Sequence, residues 1–224
     1  MRTSNVRRQG ARPVTLALIA TAGLATFAAP ALPAEEGDVV VGPWIGAIAL
    51  DAHLSDYRWD TTARPVWGLT ALGRFDRFAV GARGWRASTS QATGIPGDDR
   101  EFRVSLTGID ALGEVRLARF VGARLLATGS VGLVRFAWSP RELVVDTGGG
   151  PVTVVAEPIG ELTYGGGMAV RRAIAWGFEG GAAIEHSRFS LETSHRRGDE
   201  IVTERESFGS WTARLEIARP LFAI

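Results

Sequence analysis

The sequence predicts an all-β chain, an eight-stranded antiparallel up-and-down transmembrane β-barrel, and three observations lead there. The stretch 118–138, ARFVGARLLATGSVGLVRFAW, is long and apolar yet carries Arg124 and three glycines, which suits no membrane helix. Read with period two, it resolves: Val121, Ala123, Leu125, Ala127, Val131 and Leu133 share one face, with Gly122, Arg124, Thr128, Ser130 and Gly132 opposite. Finally, the segments that alternate in this way number eight, and their connections are alternately short and long.

The N-terminus is set aside first. Arg2, Arg7, Arg8 and Arg12 precede an apolar run from Val14 to Ala29 and then Pro30-Ala31-Leu32-Pro33-Ala34, the order of charged, apolar and small-residue regions in a secretory signal. Residues 1–34 are read as that signal, cleaved near Ala31 or Ala34, and 35–224 as one barrel domain. Losing four arginines and no acids takes the formal charge from +1 to −3, which leaves no basic surface for nucleic acid. There is no cysteine, so disulfides and thiolate chemistry are excluded.

The segments follow as 39–54, 65–75, 78–87, 101–117, 120–138, 152–170, 174–191 and 204–219. In the second, Trp67, Leu69, Ala71 and Phe75 alternate. In the fourth, Phe102, Val104 and Leu106 share a face before Ile109, Ala111, Val115 and Leu117 take over, so a one-residue slip at Gly108 predicts a β-bulge. The sixth joins the seventh, where Ile174, Trp176, Phe178, Ala182 and Ile184 oppose Gly177, Glu179, Gly181 and Glu185. In the eighth, Trp211, Ala213, Leu215 and Ile217 oppose Ser210, Thr212, Arg214 and Glu216. Asp76-Arg77, Ala118-Arg119 and Arg171-Arg172-Ala173 are the short turns; 55–64, 88–100, 139–151 and 192–203 are the long loops. RFAVGAR at 77–83 and RFVGAR at 119–124 form a weak repeat across two of the turns.

This pattern resembles the small eight-stranded outer-membrane barrels of Gram-negative bacteria, the OmpA-type class. The resemblance implies a porin-like architecture in the cell outer membrane, with outer-membrane lipids and lipopolysaccharide as surroundings and long extracellular loops as the contact surface for an unknown partner. That class often ends on an aromatic residue, whereas here Phe222 precedes a terminal Ile224 and Arg219-Pro220 interrupts the alternation.

A soluble lipocalin-like barrel binding a small ligand alternates equally well. Two features favour the membrane. The polar face interleaves Arg and Glu with Gly, Ala, Ser and Thr, as a narrow lumen requires; and Trp67, Phe75, Phe78, Phe120, Trp176 and Trp211 sit near strand ends on the apolar face, as interfacial girdles do. The polar face then predicts a lumen ion-pair network of Arg83, Arg103, Asp110, Glu114, Arg116, Arg124, Glu157, Glu161, Glu179, Glu185, Arg214 and Glu216, which plugs the barrel because charges in so narrow a space persist only when paired.

Candidate chemistry is sparse, and no cofactor is expected. Glu185, His186, Ser187 and Ser190 contain the parts of a hydrolase and are similar to the His-x-Ser pattern of outer-membrane lipid A deacylases. Arg188 departs from that pattern, however, and alternation sends Glu185 and Ser187 to the face opposite His186. Asp146-Thr147-Gly148 reads as a hairpin tip, since an aspartic protease needs a second copy. His53 and His195 suggest no metal site. In the first loop Tyr57, Arg58 and Trp59 form the expected contact surface, exposed aromatics beside arginine being favoured at recognition sites. A non-enzymatic role in envelope structure or surface interaction is the reading that follows.

Overall fold

The computed structural model describes residues 37–51, 53–54, 57–92, 100–146, 150–197 and 200–223; residues 1–34, expected from the sequence to be a secretory signal, lie outside them. In chain order the strands are β1 (Asp38–Leu50), β2 (His53–Leu54), β3 (Tyr57–Arg58), β4 (Arg64–Phe75), β5 (Phe78–Ala92), β6 (Glu101–Phe120), β7 (Ala123–Ser139), β8 (Glu142–Asp146), β9 (Pro151–Val155), β10 (Ile159–Ala173), β11 (Glu179–Arg197) and β12 (Glu200–Ala223). Eight of them close a barrel in the order β1-β12-β11-β10-β7-β6-β5-β4, while β2-β3 and β8-β9 are small hairpins in the loops. All the barrel pairings are antiparallel.

The stagger of the barrel can be followed in the register. One row of paired residues runs Val40, Leu72, Gly81, Leu112, Ser130, Gly165, Ser187 and Ser210, and returns to β1 at Leu50, ten residues beyond its start. Eight strands with this tilt enclose an interior just wide enough for side chains to fill.

Which residues face inward follows from the alternation. Ile45, Trp67, Leu69, Ile109, Val131, Leu133, Leu162, Leu215 and Ile217 are all more than half exposed on the outer wall, whereas Arg83, Asp110, Glu185 and Arg214 are buried inside. An apolar exterior around a charged interior is the inverse of a soluble barrel and matches a lipid-facing wall. Phe75, Phe78, Phe120 and Trp176 stand exposed at the short-turn end, and Trp67 and Trp211 on the wall nearer the loops. No helix of the described residues is long and apolar enough to cross a membrane.

The β-bulge expected at Gly108 is absent. Register runs through Trp85↔Gly108 and Gly108↔Val134 without a shift. Phe102, Val104 and Leu106 are apolar because they point inward, into a core at the loop end, while Ile109, Val115 and Leu117 point out to lipid. The change of face belongs to the interior, which turns from charged to apolar along its axis. Gly108 has a different role: a Cβ there would lie 2.2 Å from Cε2 of Trp85, so the glycine makes room for an inward ring. The true irregularities lie at Arg116/Ala118 and at Val39/Val40. The latter skips Leu221 and accommodates Pro220, which has no N–H for a regular ladder.

Two connections also differ from expectation. β10 runs on through Arg171 and Arg172 to Ala173, and the turn is a short 3₁₀ segment at Ala175–Gly177. Residues 192–197 and 200–203, expected as loop, continue β11 and β12 as a projecting hairpin.

Candidate functional site: a charged lumen beneath an aromatic cap

At the loop end, Phe136 is fully buried, with ring centroids 5.9 Å from Trp59, 6.4 Å from Trp138 and 5.1 Å from Phe189, which in turn lies 5.8 Å from Phe208. With Val104, Leu106 and Val134 these rings close the mouth. Trp138 Nε1 donates to Gln91 Oε1 at 2.8 Å, tying the cap to β5. Trp59, expected as an exposed contact residue, is a correction: it is 5% exposed, because the chain folds back after β3 and bridges Trp59 to Gln91. The side chains of Tyr57 and Arg58 lie outside the described residues, as do those of His53 and His195.

Below the cap come tiers of ion pairs. Asp110 accepts from Arg83 Nε at 3.0 Å and Nη2 at 2.9 Å, and from Trp85 Nε1 at 3.0 Å. Arg83 Nη1 also donates to Glu185 at 2.5 Å, whose other oxygen accepts from the Thr128 hydroxyl at 3.1 Å. Arg214 Nη1 stands 2.7 Å from Glu185 Oε2, but the approach is not aligned as a hydrogen bond and none of its guanidinium nitrogens is bonded. Its compensation is the Coulomb attraction together with the Trp44 ring, 5.6 Å from its Cζ. Deeper still, Arg171 donates through both Nη atoms to Glu114 and through Nε to Glu216. Toward the short turns, Glu179 accepts from Arg74 and from Arg124 Nη2, the latter at 2.5 Å.

Five arginines (74, 83, 124, 171 and 214) therefore meet five carboxylates (Asp110, Glu114, Glu179, Glu185 and Glu216). The charges balance, and the arginine forks satisfy carboxylates from different strands at once. Between cap and ion pairs lies a cavity of ≈ 30 Å³ lined by Trp44, Arg83, Asp110, Glu185, Ser187 and Phe189 among others, room for about two waters. The loop-end half of the interior is apolar, yet among the described residues this cavity of ≈ 30 Å³ is too small for a lipocalin-type ligand.

Of the predicted lumen set, Arg83, Asp110, Glu114, Arg124, Glu179, Glu185, Arg214 and Glu216 take part. Four do not. Arg103 points outward and is exposed, the direct consequence of the missing bulge. Arg116 holds the short turn instead, donating to the Asp76 carbonyl at 2.8 Å and carboxylate at 3.0 Å. Glu157 is exposed in the link between β9 and β10. Glu161 faces the mouth, where the exposed Arg205 donates to it at 2.6 Å. Arg74 and Arg171 were missed. Arg74 is in phase with inward Thr70 and Leu72, and Arg171 falls in the turn expected at 171–173, four residues before the observed one at Ala175–Gly177.

The hydrolase parts are not brought together. Glu185 and Ser187 face the lumen, while His186 is on the outer wall, its ring 4.8 Å from Trp211. Ser190 shares that wall but stands four residues along an extended strand, about 13 Å away. Asp146 and Pro151 pair at the end of the β8-β9 hairpin, as a tip requires; residues 147–149 are outside those described. Among the described residues no cluster of three His, Cys, Asp or Glu could hold a metal.

In the loop, Asp60 accepts from the Thr62 N–H at 2.8 Å and from Arg64. Partial burial pushes its carboxyl up, but Thr62 and Arg64 outweigh this and hold it below the ordinary value.

No protein-family model and no curated protein matches the chain. Among solved structures it is similar to Neisserial surface protein A, at 11% identity over 84% of this chain and 100% of that one, with a TM-score of 0.56. It is also similar to outer membrane protein AlkL (12% identity, 89% and 96% coverage, TM-score 0.49) and to the N-terminal β-barrel domain of Pseudomonas aeruginosa OprF (14%, 82% and 98%, 0.39). With its charged interior, apolar belt and closed ring, the chain has the fold of the small eight-stranded outer-membrane β-barrels.

Proposed function

We propose that the chain is exported by the leader at 1–34 and works in the outer membrane as a non-conducting barrel, holding its loop-end surface outward for structural or surface contacts. The observation that carries this is the filled lumen. A pore needs a continuous aqueous path, and here, among the described residues, the aromatic cap and five carboxylate-paired arginines leave cavities of ≈ 30 Å³ each, one beneath the cap and one beside Arg74, Arg124 and Arg171. The outward display is supported by the projecting hairpins. β11 runs past its last β10 pair at Phe189 and β12 past its last β1 pair at Ser210, so Ser190–Arg197 and Glu200–Gly209 pair mainly with each other.

Two measurements test the reading. In planar bilayers the purified protein gives no discrete conductance steps; regular steps at neutral pH would overturn it. Deleting 192–203 leaves the heat-dependent electrophoretic mobility of a folded barrel intact while reducing adhesion of expressing cells to coated surfaces. Unchanged adhesion would place the contact surface elsewhere.

A further inference from the structure

Inside the barrel every arginine of the network faces a carboxylate, but on the outer wall several described arginines do not, and two of these share one row. Arg86 on β5 and Arg135 on β7 are exposed, and both pair in register with Thr107 on β6. The three form one cross-strand row on the outer face, with the arginine Cα atoms about 10 Å apart across two strand spacings. Neither arginine makes a hydrogen bond or ion pair among the described residues. The outward positions around them, Trp67, Ser88, Ser105, Ile109, Leu133 and Leu162, include no acid.

Their height on the barrel is equally informative. Trp67, the cross-strand neighbour of Arg86, is 59% exposed; Ile109, two residues below Thr107, is 62% exposed, and Leu133, two below Arg135, is 57% exposed. The row thus sits at the loop-side border of the apolar belt, where lipid tails give way to headgroups. A guanidinium here has hydrocarbon beneath it and no carboxylate beside it, so the counter-ion comes from the membrane.

We propose that Arg86, Thr107 and Arg135 form a binding site on the outer wall for the phosphate of an anionic, phosphorylated lipid of the outer leaflet. The two planar forks approach one phosphate from either side and the Thr107 hydroxyl donates from below, a geometry in which several charge-assisted bonds converge on one tetrahedral anion. The site deepens the functional reading above and rests on the barrel lying in the outer membrane.

The test is native mass spectrometry of the full chain in zwitterionic detergent titrated with bisphosphorylated lipid A. It compares wild type, Arg86→Gln/Arg135→Gln, and a control, Arg172→Gln, on the outer face at the short-turn end. Heat-dependent mobility, measured first, shows that each variant forms the barrel, so failure to insert is read separately as failure of the membrane reading. The wild type and control retain the lipid, and the double variant binds about thirtyfold more weakly, at about fivefold per arginine near a membrane surface. A dephosphorylated lipid A is retained no better by the wild type than by the double variant. Equal binding by all three proteins, equal loss in the control, or no retention by the wild type would each overturn the proposal.

Discussion

Arg171→Met is the sharpest probe of the lumen. The guanidinium is buried and serves two carboxylates from different strands, Glu114 on β6 and Glu216 on β12. Methionine keeps much of the volume but removes the charge. Glu216 retains Arg214 Nε at 3.7 Å; Glu114, itself 3% exposed, is left with no cation in contact among the described residues. Removing one partner of a buried pair costs about 3–5 kcal/mol because the other is stranded without solvent, a factor of about 10² to 10⁴ in the unfolding equilibrium. Urea unfolding of the barrel in lipid vesicles, followed by tryptophan fluorescence, reads this as a lowered midpoint at unchanged slope. Adding Glu114→Gln to the same chain removes the stranded charge and restores much of the loss. If Arg171→Met alone costs less than about 1 kcal/mol, Glu114 is not relying on Arg171 and the buried-pair argument fails here.

Other sites give independent outcomes. Leu215→Arg places a charge on the lipid wall between outward Ile45 and Ala182 and costs about 2–4 kcal/mol if it lies near the bilayer midplane; a neutral result in the vesicle assay would mean that this wall is not facing lipid. Gly108→Ala drives a methyl into Trp85 and costs about 1–3 kcal/mol as overpacking, with a shifted indole resonance by NMR; an unperturbed Trp85 would contradict the close approach. Asp60 has a folded-state value below that of the unfolded chain, so its link to Thr62 and Arg64 stabilises the loop above the unfolded value of about 3.9 and is lost as pH falls through the lower folded value. NMR of its carboxyl should show a midpoint below about 3.9, and one at or above it would deny the bond.

The strand number, the membrane face and most members of the lumen network were legible because alternation acts on every residue of a two-faced wall. Arg124 was placed correctly for that reason alone. What misled was the assumption that one face is apolar from end to end. Phe102, Val104 and Leu106 are apolar because they build the cap, and taking them as lipid-facing created a bulge at Gly108 and turned Arg103 inward. Turn position was the other weak point: Ala175–Gly177 carries Trp176 at φ 57°, a left-handed residue that no glycine rule would mark, so the turn was set too early and Arg171 was lost. Pairing itself was not legible, because partners such as Arg83 and Glu185 meet only across the closed lumen.

The sequence separation of those partners bears on how the chain enters a bilayer. Arg74 and Glu179 are 105 residues apart, and Arg83 and Glu185 are 102 apart. A hairpin of β4 and β5 inserted by itself would carry Arg74 and Arg83 into hydrocarbon with no carboxylate to meet them, and strand edges with no partner. A hairpin of β5 and β6 brings Arg83 to Asp110, but Arg74, Arg124 and Arg171 meet their carboxylates only across strands that are not neighbours, so pairing is complete only in the closed ring. Such a chain has no inexpensive half-inserted state: it stays at the surface, or in the hands of assembly machinery, until β1 finds β12 and charge and backbone are satisfied in one step.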